Sequence, residues 1–176
     1  MAALVDDRFE EVELTEPKAA MENAGARVAI ISRHPRMTAM RHHEVADRFE
    51  ADVALSEARA ENYDALFLPG GVANGDSLRI VPEAQAFARA LVAQAKPVAV
   101  ICHGGWLLIS AGLVRNRTIT SWPTLQDDYR NAGAHWVDRE VVVDGNWVSS
   151  RKPDDIPAFS SAVIEVLARE PRRQAA

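Results

Sequence analysis

Cys102 is the only cysteine in the chain and stands in the run P-V-A-V-I-C-H-G-G over residues 97–105. A lone cysteine has no internal disulfide partner, so it is either a small buried hydrophobe or a reactive thiol. Its position favours chemistry. The apolar run before it reads as a buried strand, and the glycines after it read as a sharp turn into a helix. Ligands of open α/β sheets bind outside the carboxyl ends of the strands, and amides at the start of the next helix favour a thiolate there. His103 adds a neighbour that titrates near neutrality, although adjacent side chains meet only if the turn is tight. A strained strand-to-helix elbow would explain Gly104 and Gly105 as residues that let substrate and backbone approach.

A nucleophile also needs a proton acceptor or donor and groups for the oxyanion it creates. Glu10 and Glu13 are three apart in D-D-R-F-E-E-V-E-L and would share a face on a helical turn. Two readings stand for them. They are solvated surface carboxylates, or one of them hydrogen-bonds the sulfur and stays protonated when buried. Gly70 and Gly71 end another apolar run, where their backbone amides serve an oxyanion or simply make a turn with unusual dihedrals. Trp106, one helical turn beyond Cys102, either lines a pocket or packs in the core. Trp122 precedes Pro123 at a strand end and suits a rim.

The elements that must position these groups alternate. Strands are predicted at Ala2–Val5, Arg27–Ile31, Ala65–Leu68 and Val98–Ile101. Helices are predicted over Glu16–Asn23, with Pro17 in the first turn and Gly25 at the stop, and over Pro82–Ala95. The second half adds a helix over Gly104–Ala111, a strand at Thr118–Thr120 and a helix over Leu125–Ala132. A hairpin follows around Asp144-Gly145, and the last helix covers Ala158–Ala168. Residues 41–56 are poorly defined, with an extra strand at Asp52–Leu55 and the two histidines on a loop. This βαβ rhythm implies a mostly parallel sheet with helices on both faces.

Composition sets the outer limits. With 176 residues, 48% hydrophobic and 26% charged, the chain fits a single domain over residues 1–168 with a frayed tail at 169–176. A net charge of −5 with scattered basic residues argues against a specific nucleic-acid surface. No apolar run has the length of a membrane span, and a single cysteine without a signal peptide fits a reducing, cytoplasmic setting. His42 and His43 beside Glu44 lack a well-spaced third ligand, so no metal site is expected. His135 beside Trp136 reads as packing or an interface contact.

Several ordered motifs, spread from about residue 2 to about residue 168, carry a family resemblance. They include D-D-R-F-E-E-V-E-L-T-E-P, L-F-L-P-G-G-V-A-N-G-D, V-A-V-I-C-H-G-G-W, T-S-W-P-T-L-Q-D-D and E-V-V-V-D-G-N-W-V-S-S-R-K-P-D-D. The chain resembles the PfpI-like branch of the superfamily that contains the Parkinson-associated protein deglycase and intracellular cysteine peptidases. The resemblance implies a three-layer α/β/α sandwich, a flavodoxin-like fold with a nucleophile elbow of the class I glutamine amidotransferase type. It implies Cys102 as nucleophile, Glu10 as the carboxyl that hydrogen-bonds the sulfur, and the amides of Gly71 and His103 as oxyanion donors. Asp76 matches an acidic residue that orients His103 across a subunit interface in oligomeric peptidase-like members. Glu13 then falls to a structural or pocket-edge role.

Two departures stand out against that pattern. Gly105 replaces a common proline and would loosen the pocket floor. Arg8 replaces a common glycine, where a long cation would attract carboxylates or block entry. The implied activity is cofactor-free attack of Cys102 on glyoxal-type aldehydes or their early glycation adducts, through a hemithioacetal. The alternatives are an intracellular cysteine peptidase using His103 and an intersubunit Asp76, and a non-enzymatic oxidation sensor or stress-associated binding protein. Homodimers or higher homo-oligomers are the implied assemblies.

Overall fold

Short buried apolar runs separated by helices produce a layered arrangement in the computed structural model, which describes residues 1–169. β1 (Ala2–Leu4) leads through α1 (Glu11–Asn23) to β2 (Ala29–Ser32). A hairpin of β3 (Arg36–Arg41) and β4 (Glu44–Glu50) precedes the short β5 (Val53–Ala54). β6 (Leu66–Leu68) is followed by α2 (Val72–Arg79), α3 (Pro82–Ala93) and β7 (Val98–Ile101). Then come α4 (Trp106–Ser110), β8 (Thr118–Ile119), α5 (Gln126–Asn131) and β9 (His135–Trp136). β10 (Val141–Asp144), β11 (Trp147–Ser150) and α6 (Ile156–Arg169) complete the order. The tail expected over 169–176 starts inside α6, and residues 170–176 lie outside the described residues.

The main sheet has seven strands in the order β10-β11-β7-β6-β1-β2-β5. Every neighbouring pair is parallel except β10 with β11, which form an antiparallel edge hairpin. Side chains alternate across it, as the period of a strand requires. Ala2 and Leu4 enter one core with Phe87, Leu91 and Leu107, whereas Ala3 and Val5 enter the other with Leu14, Phe159 and Val163. Helices α3 and α4 therefore cover one face, and α1 and α6 cover the other. The fold is flavodoxin-like, with the carboxyl ends of β1, β6 and β7 adjacent along one edge.

Three elements depart from the pattern predicted above. α1 starts at Glu11 rather than Glu16, and Pro17 lies inside it instead of at its start. Burial of Leu14 and Met21 against the sheet outweighs the lost proline donor. Residues 72–79, for which no element is predicted above, form a helix despite Asn74 and Gly75 within it. The poorly defined segment is the β3–β4 hairpin, whose turn holds His42 at φ 57°. Its alternation M-T-A-M faces the protein with Met37 and Ala39 and leaves β4 mostly exposed, which weakens its apolar signal.

Candidate active site

β7 ends at Ile101, and the chain then turns through a tight helical turn at Cys102–Gly105. Cys102 has φ 59°, a left-handed conformation that a side chain disfavours by about 1–2 kcal/mol. That conformation turns the chain sharply from β7 into the helical turn that follows. The turn is possible because Gly104 brings its backbone against β6: a Cβ there would lie 2.5 Å from the Leu68 carbonyl and 2.6 Å from that of Pro69. Cys102 retains 7% exposure.

The tight turn makes neighbouring side chains meet. His103 Nδ1 lies 3.1 Å from Cys102 Sγ. The imidazole is held between two indoles, edge-on to Trp106 at 5.1 Å and stacked near Trp122 at 6.0 Å. Trp106 is itself fixed, because its Nε1 donates to Asp128 at 2.7 Å and Arg79 lies over its ring. Burial lowers the His103 pKa to about 4, so the ring is neutral near pH 7.

The carboxyl facing the sulfur is Glu13, not Glu10. Glu10 precedes α1 in an extended conformation, so the two residues do not share a helical face. Glu10 is buried, and its carboxylate reaches the turn of the β3–β4 hairpin, where it accepts the His42 amide at 3.0 Å. Glu13, in the first turn, points inward and is fully buried. A Cβ on Gly70 would run into Glu13 Oε2 and come within 2.6 Å of Cys102 Cβ, which places carboxyl, glycine and thiol in one packed cluster.

Neither Glu13 oxygen meets hydrogen-bond geometry with a partner among the described residues. Burial pushes its pKa up to about 8, with the Cys102 thiol and the Gly70 amide opposing and the Glu10 charge assisting. Glu13 therefore carries its proton near neutrality. Burial also pushes the Cys102 thiol up, followed by the Glu13 charge, while the amides of His103 and Gly71 act in the opposite direction. The helix-start amides favour the thiolate as expected, and burial outweighs them. Once Glu13 is protonated its repulsion is gone, and burial is the main load on the thiol.

Gly71 and Asn74 shape the opposite wall. Gly71 has φ 95°, and a Cβ there would lie 2.6 Å from the Glu10 amide nitrogen and 2.9 Å from the Arg8 carbonyl. Asn74 is fully buried; its Oδ1 accepts the Asp6 amide at 2.6 Å and its Nδ2 donates to the carbonyls of Pro69 and Gly70 at 3.0 Å. This amide side chain locks the Gly70–Gly71 turn to the end of β1. Sequence reasoning missed it; the only signal was a polar residue between small ones directly after a strand.

Other anticipated residues fall as follows. Asp76 is exposed on α2 and makes no hydrogen bond or ion pair among the described residues. Arg8 is exposed with φ 60°. Trp106 and Trp122 are half-buried around His103. Gly105 does not loosen the floor, because the Tyr129 phenol fills the space and its hydroxyl would collide with any Cβ there. Tyr129 is fully buried, and its hydroxyl has no partner among the described residues. No cluster of three or more His, Cys, Asp or Glu suited to a metal occurs among those residues.

An elbow thiol beside a neutral imidazole, a protonated carboxyl and two backbone amides can add to a carbonyl and move protons without any net charge in the resting site. The sequence matches the DJ-1/PfpI family over residues 1–166. It is 40% identical over 161 residues to a Pyrococcus furiosus protein named deglycase PfpI, covering 92% of this chain and 95% of the relative. It is 39% identical over 167 residues to YraA of Bacillus subtilis, provisionally named a cysteine protease, covering 95% and 97%. A two-domain Anabaena variabilis protein with DJ-1/ThiJ/PfpI-like and ferritin-like domains superposes with a TM-score of 0.87 at 31% identity, over 95% of this chain and 47% of that one.

Proposed function

The chain belongs to the DJ-1/PfpI family, and on that premise we propose that it is a cysteine-dependent enzyme acting on glyoxal-type aldehydes or their early glycation adducts. The observation that carries this reading is the Cys102 sulfur 3.1 Å from a neutral imidazole and packed against a protonated Glu13. The thiol proton passes to His103 Nδ1 as sulfur adds to the aldehyde carbon. The new oxyanion lies toward the amides of Gly71 and His103 and is protonated to a hemithioacetal. Removal of the proton on that carbon gives an enediol, and protonation of the adjacent carbon gives a thioester. Glu13 and His103 are the groups that move these protons. Water then releases a 2-hydroxy acid and restores the thiol.

For methylglyoxal the product is lactate, and the sum is substrate plus one water. The aldehyde carbon is oxidised as the ketone carbon is reduced, so no external oxidant or cofactor enters. Aldehydes are favoured over peptides because no acid among the described residues orients the imidazole. The test compares wild type with Cys102→Ala on methylglyoxal, its adduct with a small thiol, and an unstructured peptide. Turnover confined to the aldehyde substrates and lost in the variant supports the reading; an unaffected variant overturns it.

A peptidase reading rests on a different observation. Asp76 lies exposed on α2 between Val72 and Ile80, which are 57% and 76% exposed, and Gly75 packs that helix onto the His103 carbonyl. A homodimer or higher homo-oligomer built on this surface would bring a second copy's acid toward His103. Peptide hydrolysis that disappears with Asp76→Ala, together with an oligomer in solution, would favour it. An oxidation sensor remains the non-enzymatic reading and predicts stable oxidised sulfur at Cys102 without aldehyde turnover.

A further inference from the structure

Asn74 is bonded to the peptide unit that faces the sulfur. It is fully buried on α2, and its planar side chain supplies one acceptor and two donors at once. Oδ1 accepts the Asp6 amide at 2.6 Å, and Nδ2 donates to the Pro69 and Gly70 carbonyls, each at 3.0 Å. The anchor beyond β1 is itself fixed, because the buried Asp6 carboxylate takes Arg33 at 2.6 Å and the Asp7 amide at 2.7 Å.

The Gly70 carbonyl and the Gly71 N–H belong to one planar trans peptide unit, so they point in opposite directions. Whatever holds the carbonyl sets where the N–H is aimed. The Gly71 N–H is aimed at Cys102 Sγ, and a Cβ on Gly70 would come within 2.6 Å of Cys102 Cβ. The Glu10 amide reaches the same carbonyl by a longer bond, at 3.3 Å. Two successive glycines leave this unit free to rotate, and Gly71 at φ 95° already uses that freedom. Local sequence therefore gives the unit no preferred direction, and the bond from Asn74 supplies one. A donor on the carbonyl also polarises the peptide and strengthens its N–H.

We infer that Asn74 is a positioning residue, which holds the Gly70–Gly71 peptide unit so that the Gly71 amide is presented to the sulfur and to the oxyanion formed there. For the reaction it serves, this inference rests on the proposed aldehyde chemistry. The aim of the amide at the sulfur rests on the hydrogen bonds alone.

Two measurements separate the two. The first uses no substrate. Labelling with nitrogen-15 glycine gives nine amide signals, and the Gly71 signal moves between wild type and Cys102→Ala. Asn74→Asp keeps the shape and the acceptor for Asp6 but loses the donor to Gly70, and Asn74→Leu loses both. In whichever variant folds, the Gly71 signal no longer responds to Cys102→Ala, and its amide exchanges about tenfold faster or more. The second is turnover of methylglyoxal, where kcat and kcat/KM fall together by about 10- to 100-fold, because a misdirected amide is missed only in the transition state. A purely structural role would instead lower the melting temperature and leave kcat per folded molecule unchanged. That result, or a Gly71 signal that still senses Cys102 in the Asn74 variants, overturns the inference. So does a wild-type Gly71 signal that ignores Cys102→Ala, which is read without any Asn74 variant. A Gly71 response that depends on Asn74, in a protein that turns over no aldehyde, keeps the positioning of the amide and overturns the aldehyde reading instead.

Discussion

Replacing Glu13 by glutamine tests whether a buried, protonated carboxyl faces the sulfur. The folded-state pKa of about 8 lies above the ordinary 4.5, so between those values the folded protein holds a proton that the unfolded chain has released. Its contribution is therefore fully present below pH 4.5 and is lost as pH rises toward 8. The slope is about 1.4 kcal/mol per pH unit, and rounding at both ends leaves about 3 kcal/mol between about pH 5 and about pH 7.5. Glutamine keeps the shape and cannot ionise, so the variant gains about that amount on wild type across the interval.

Other groups do not mimic this effect. His103, lowered from 6.5 to about 4, gives the opposite sign: its contribution is present above 6.5 and is lost as pH falls through 4. The Met1 amino group is also lowered by burial and also favours higher pH. Both are present in each protein and cancel in the difference. Urea unfolding of wild type and Glu13→Gln at matched protein concentration, at several pH values, reads the difference directly. Parallel stability curves would show that Glu13 is ionised in the folded protein and would remove it as a proton donor to sulfur.

Three other outcomes are expected. Trp122→Ala lets water reach His103, so the acid limb of the kcat/KM profile moves up by about one pH unit, whereas Trp122→Phe keeps the wild-type profile. Gly105→Ala forces a Cβ onto the Tyr129 hydroxyl and destabilises the fold by about 1–3 kcal/mol, which adding Tyr129→Val relieves in thermal or urea unfolding. Tyr129→Phe removes a buried hydroxyl that has no partner among the described residues, and its stability equals or exceeds that of wild type by up to about 1–2 kcal/mol.

Much of this architecture was legible in the chain because apolar runs bounded by glycine have few alternatives. Val98–Ile101 ending at Cys102, the Asp144-Gly145 hairpin and the helix after Val81 all follow from local pattern. Burial against neighbours decided the rest. α1 extends past Pro17 toward its amino end because Leu14 packs on the sheet, a contact that no local rule contains. That earlier start also separates Glu10 from Glu13, and spacing alone put them on one face. Asn74 makes its bonds to Asp6, Pro69 and Gly70 across turns from two strands, so its role exists only in three dimensions. Tyr129 and Gly105 are similarly invisible as a pair, being far apart in sequence and matched only by shape.

The central claim is that Cys102 attacks the aldehyde. With enzyme in excess over carbon-13-labelled methylglyoxal, rapid quenching and peptide mapping should find label on the peptide containing Cys102 before labelled lactate accumulates. Both should be absent in Cys102→Ala. Lactate formed by the variant at the wild-type rate, or label that never reaches the Cys102 peptide, would contradict the account.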